Sequence, residues 1–302
     1  MPSSPTRPPP GIRLVPPPWS LHAKSWIFSF KCTPSFLADD TSESANPNNT
    51  PAILQGLPPG SYPPLEILHP YALAPVKGKP QCKRNTASCC LLRYSDSPVG
   101  PYDEFIMLAG GFSNPLTKEV TRRITTIYVS SPASVWNGRK NWNIPKNVAR
   151  FEWRSTGSNT TTVKIYHPEG VSAPLSTTKP FFTAVLSDSR LPSVSVPHRL
   201  LRGRSRMIQP PLLPARHTND YSSVEIGTDD SDNGGAAPWL SVAPVYKGRW
   251  GVSYIHPLPK DQGGLEGYGD GIGYPEMNPI SRGMSFEGVI DFPAADVVGS
   301  KA

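Results

Sequence analysis

Two stretches of this 302-residue chain carry side chains suited to covalent chemistry. The first is NGRKNWNIPKNVARFEW, residues 137 to 153, where Lys146 stands directly after Pro145 and near Trp142, Ile144 and Phe151. A lysine attacks a carbonyl only as the free amine. With an ordinary pKa of about 10.4, roughly one lysine in two thousand is neutral at pH 7. Removal from water raises that fraction, and so does a nearby positive charge. Trp142, Ile144 and Phe151 are candidates for the first effect, and Arg139, Lys140 or Arg150 for the second. The plainer reading is a structural lysine with a packed stem. Spacing alone leaves both open.

The second stretch is GPYDEFIML, residues 100 to 108. Asp103 and Glu104 stand at the start of an apolar strand, where alternation sends them to opposite faces. If Phe105 and Met107 share the face of Asp103, then Ile106 and Leu108 share that of Glu104. Either acid can point inward and manage protons. The bland alternative is an acid at a strand start that faces water.

The elements around these residues are mostly strands. SCCLLRYS and RRITTIYVSS (122 to 131) read as strands, the second rich in β-branched residues. In SSPASVWNG, Ser131 suits a cap, Pro132 the first helical position and Gly138 the residue past the end. This predicts a helix of about two turns leading into the Lys146 loop. WSLHAKSWIFSFKC (19 to 32), ARFEW, TTVKIYH, PFFTAVLS, WLSVAPVYKGRWGVSYI and GVIDF read as further strands. No βαβ alternation is visible. The pattern predicts a mainly β chain of antiparallel strands, barrel or sandwich, with a few short helices. Thirty-eight prolines, many of them before residue 80, favour long loops there. Residues 1–18 read as a proline-rich disordered arm that takes no part in the site, and 19–302 as a single domain.

Composition removes several function classes. The net charge is +7, but the basic residues are scattered, and RLLRGRSR (199 to 206) has no nucleic-acid-binding motif around it, so no nucleic acid partner is expected. Cys32, Cys82, Cys89 and Cys90 make no metal-ligand spacing, so no metal site is expected. TDDSDNGG (228 to 235) lacks the bidentate glutamate of a calcium loop. GGLEGYGDGIGYP (263 to 275) reads as a flexible loop, since no strand–turn–helix context supports phosphate binding. No signal-like or membrane-spanning apolar run appears, which points to a soluble cytoplasmic protein with no membrane association. The N-x-T sequons at Asn48 and Asn159 are then chance matches.

Three segments together resemble the acetoacetate decarboxylase superfamily, in the branch found in filamentous fungi. They are RYSDSPVGPYDEFIML (93 to 108), RRITTIYVSSPASVWNGRKNWNIPKNVARFEW (122 to 153) and, more weakly, PWLSVAPVYKGRWGVSYI (238 to 255). KGKPQCKRNTASCC is out of place for the family. The resemblance implies antiparallel strands curled into a closed, cone-like barrel around a lysine that forms a Schiff base with a 3-oxo acid. Lys146 matches that lysine and Glu104 the active-site glutamate. Tyr102, in the glycine-tyrosine-x-glutamate element, and Trp142, ahead of the lysine, become candidate substrate contacts. Family decarboxylases carry a second lysine directly after the first, and here that residue is Asn147. Acetoacetate decarboxylase is the standard example of a lysine activated by a cationic neighbour, and an amide brings no charge. The implied activity is a carbon–carbon lyase without metal or organic cofactor, decarboxylating a small-molecule keto acid or performing aldol or dehydration chemistry on it, in secondary metabolism. A homo-oligomer fits the family. The alternative is a non-catalytic barrel that binds an apolar or keto-acid ligand.

Overall fold

The structure, a computed structural model, describes residues 8–31, scattered positions between 62 and 83, residues 86–212 apart from 172–173, 198 and 200–204, and residues 238–299. Cys32, Asn48, most of the basic group at 199 to 206 and the segment 228 to 235 lie outside the described residues.

Among the described residues, fourteen strands form one large sheet. Its central strands are β1 (Trp19–Lys31), β2 (Thr86–Asp96), β3 (Tyr102–Ser113) and β4 (Val120–Val129). One α-helix among the described residues, α1 (Pro132–Trp142), follows β4. The short β5 (Lys146–Val148) leads into β6 (Arg150–Gly157), β7 (Thr160–Tyr166) and β8 (Phe182–Asp188). Then come β9 (Val194–Ser195), β10 (Met207–Gln209), β11 (Leu240–Val242), β12 (Val245–His256), β13 (Arg282–Phe292) and β14 (Asp296–Val297). No helix among the described residues is long and apolar enough to cross a membrane.

The main path runs β14-β11-β10-β4-β3-β2-β1-β13-β12-β8-β7-β6. The sheet is mixed, because β5 and β10 both lie parallel to β4. It is also not closed, in contrast to the cone-like barrel expected from the resemblance. The path stops at β6 on one side and β14 on the other. The outer edge of β4 is shared between β5 at its end and β10 at its start, which leaves no full-length edge for β6. Ala149, between β5 and β6, donates to the Val129 carbonyl of β4 (2.9 Å).

Both faces of the central sheet are buried. On one, Phe105, Met107 and Tyr128 pack with Phe28, Leu91, Phe181, Phe182 and Tyr274. On the other, Tyr102, Leu92, Tyr94, Ile127 and Val129 pack with α1 residues Val135 and Trp142. The glycine-rich loop at 263 to 275 is packed rather than flexible. Tyr268 and Tyr274 insert into the first cluster, and the Asp270 carboxylate accepts from the backbone of Ile272, Gly273 and Tyr274. Cys82, Cys89 and Cys90 are buried.

Residues 8–18 are joined to the domain rather than forming a separate arm. Asn137 on α1 accepts from the Val15 amide (2.8 Å) and donates to the Arg13 carbonyl (3.0 Å), and Asn141 donates to the Val15 carbonyl (2.9 Å). Proline-rich chain offers few partners to itself, so its free carbonyls bond to side-chain amides instead.

Candidate active site

β3 sorts its residues by alternation. Asp103 lies on one face, half-exposed and paired with Arg93 at 3.2 Å. Partial burial holds its carboxyl above the usual range, against the pull of Arg93. Glu104 lies on the other face and is 3% exposed. Lys146 is 5% exposed and sits opposite Ile127 in the parallel β4–β5 register.

These two side chains meet. Lys146 Nζ donates to Glu104 Oε2 at 2.7 Å and to Ser134 Oγ on α1 at 2.9 Å. Tyr94 donates to the other carboxylate oxygen at 2.9 Å, and the Tyr102 ring lies 5.3 Å from Nζ. Burial first, and then the Glu104 charge, hold both phenols well above the usual tyrosine range. Both phenols are neutral, and Tyr94 is a donor to Glu104. A proton that passes along the 2.7 Å hydrogen bond leaves a free amine beside a carboxylic acid.

Helix α1 shapes the roof. Ser131 caps it by accepting from Ser134 N (3.3 Å), and Pro132 opens the first turn, as expected. The helix then runs through Gly138 and ends on Asn143, whose φ of 52° is left-handed. Asparagine tolerates that conformation at a helix end. Gly138 serves another purpose. A Cβ there would sit 2.7 Å from Lys146 Cδ, so the bare backbone makes room for the lysine stem.

A second buried ion pair stands behind β5. Arg139 donates to both Glu66 carboxylate oxygens (2.7 and 3.0 Å) and reaches the Lys146 carbonyl at 3.4 Å. Asn147 Nδ2 contacts Glu66 at 3.5 Å. The guanidinium therefore neighbours the Lys146 backbone, with its charge matched by Glu66. Charge-assisted bidentate pairs of this kind fix geometry as well as charge.

The structure thus brings Lys146, Glu104 and Tyr102 together. It does not add Trp142, whose indole packs on Trp19 (5.1 Å) and Phe292 (5.4 Å) and donates to the Pro293 carbonyl (2.8 Å). The last turn of α1 turns that ring toward β1 and β13. Phe151 likewise packs in the opposite cluster. The amine is enclosed instead by Tyr94, Tyr102, Ser134 and Gly138. Ser134 was missed in the sequence, where its one local signal is its place three residues after the Ser131 cap. Nothing local in the sequence pairs Glu66 with Arg139.

No protein-family model matches the chain, and no curated protein matches it. Solved structures do. Acetoacetate decarboxylase from Legionella pneumophila is 12% identical, with a TM-score of 0.53 over 96% of this chain and 92% of that one. An acetoacetate decarboxylase-like enzyme from Sphingomonas wittichii is 12% identical, with a TM-score of 0.52 over 94% of each chain. A further acetoacetate decarboxylase structure is 11% identical, with a TM-score of 0.50 over 94% of this chain and 91% of that one. What the chain has in common with these proteins is the acetoacetate decarboxylase fold.

Proposed function

We propose that this protein is a Schiff-base-forming lyase acting on a 3-oxo acid, with Lys146 as the nucleophile and Glu104 as its proton partner. The observation that carries this reading is the enclosed hydrogen bond from Lys146 Nζ to Glu104. The shared fold and the motifs at 93 to 108 and 122 to 153 support it, and the motifs favour the fungal branch and a role in secondary metabolism.

Nζ gives its proton to Glu104 and attacks the ketone carbon. The carbonyl oxygen leaves as water after protonation, and a protonated imine forms. The bond between the carboxylate carbon and its neighbour then breaks. Its electron pair moves into the imine, and carbon dioxide leaves behind an enamine. Protonation of the enamine carbon and hydrolysis return the ketone and the free amine. Glu104 carries protons in these steps, while Tyr94 holds its second oxygen in place. Ser134 aims the amine. Aldol or dehydration chemistry starts from the same imine.

The competing reading is a structural ion pair in a ligand-binding protein. Borohydride separates the two. A 3-oxo acid plus borohydride should add the reduced substrate mass to the Lys146 peptide, and Lys146→Ala should lose all labelling. Absence of labelling across a panel of keto acids overturns the lyase reading.

A further inference from the structure

The position of the amine assigns a direction to the site. Lys146 belongs to β5, two strands from β3, yet its Nζ reaches Glu104 on β3. The amine therefore stands above β3. Residues i±2 on that strand share its face. On one side of Glu104 lies Tyr102, 5% exposed, with Tyr94 at 4% and Ser134 at 0% closing that end. On the other side lie Ile106 and Leu108, both half-buried.

The apolar side continues across the sheet. In register, Ile106 is followed by Cys90, Ile27, Met284 and Val252 on β2, β1, β13 and β12. Along the row Ile106 is half-buried, Cys90 5% exposed, Ile27 half-buried, Met284 51% exposed and Val252 half-buried. At about 4.8 Å per strand, this strip spans about 19 Å from β3 to β12. It has no charged side chain, and burial keeps the Cys90 thiol neutral by pushing it up to about 12.

We propose that the substrate carries an apolar acyl tail that lies over Ile106, Leu108, Cys90 and Ile27. The placement of its carbonyl at Nζ rests on the lyase reading above. The occupant is an alkyl chain because Ile106 and Leu108 continue the face of Glu104 along β3, away from Tyr102, and the Ile106 row leads from there across β2 to Ile27 and the exposed Met284. A longer chain covers more of the row, so affinity rises with chain length. A fully buried methylene is worth about fourfold in affinity, so a half-buried one gives about twofold.

Two series test this on the full chain: borohydride trapping with acetoacetate, 3-oxohexanoate and 3-oxooctanoate, and direct binding of butanoate, hexanoate and octanoate, which lack the ketone. The expected result is a gain of about two- to fourfold per methylene, flattened in Ile106→Trp, with Leu108→Phe as a second variant should the first not fold. Trapping at Lys146 without any length dependence overturns the tail and keeps the lyase. Length-dependent binding without trapping keeps the tail and overturns the lyase. Length dependence untouched by either variant places the chain elsewhere and overturns the proposal. So do flat series combined with self-association that Met284→Arg abolishes, because the face then belongs to a second copy of the chain.

Discussion

Lys146 and Asn147 are neighbours in sequence that face opposite sides of one sheet, and the two sides are buried by different means. On the Lys146 side, charges are enclosed and matched: Glu104 takes Nζ on one oxygen and Tyr94 on the other, and Ser134 takes a second Nζ proton. Asn147 sits opposite Tyr128, whose face is built from rings. There His167 is 1% exposed, wedged by Phe181 at 4.5 Å, and neither ring nitrogen has a partner among the described residues. Burial lowers it to about 4, so it is a neutral ring held by packing. One face encloses a matched charge pair at Lys146, and the other packs rings around a neutral histidine, with the acids that border it, Asp103 and Glu66, each paired to an arginine. In a strand, a one-residue step is enough to pass between these environments.

The contrast breaks most sharply when one charge is left alone. Glu104→Ala strands an ammonium in the enclosed site and should cost about 3–5 kcal/mol in chemical denaturation. Glu104→Gln combined with Lys146→Met should recover most of that loss, because it removes both charges together. A smaller effect comes from charging the other face. The His167 pKa is lower in the fold than in the unfolded chain, so its contribution is present above pH 6.5 and is lost as pH falls toward about 4. Denaturation across that window should show a loss of about 3 kcal/mol that is absent from His167→Phe. The smallest effect sharpens the boundary between helix and site. Gly138→Ala would press on the Lys146 stem and should cost about 1–3 kcal/mol, even though alanine is the better helix former. It should also slow borohydride labelling, since Nζ moves off Ser134.

Much of this was readable from residue order. Alternation in YDEFIML correctly parted Asp103 from Glu104 and grouped Ile106 and Leu108 with the latter. Ser131 and Pro132 marked the start of α1. The end was misread because Gly138 looks like a stop signal, whereas its lack of a side chain answers a contact with Lys146, eight residues on and in a different element. Trp142 was placed near the amine by sequence distance, but a helical turn decides where a ring points, and this one points to β1. Open sheet edges depend on which strands share β4, and the three-residue β5 and β10 are too short to announce themselves. The Glu66–Arg139 pair spans 73 positions, beyond any local signal.

The bonds from Asn137 and Asn141 to residues 13 and 15 give the proline-rich segment a mechanical task. They hold the helix that carries Ser134 and Gly138 down onto the lysine. An expression clone that trims residues 8–15, or crowds them with a purification tag, would loosen the ceiling over Lys146 while every residue around the amine stayed the same.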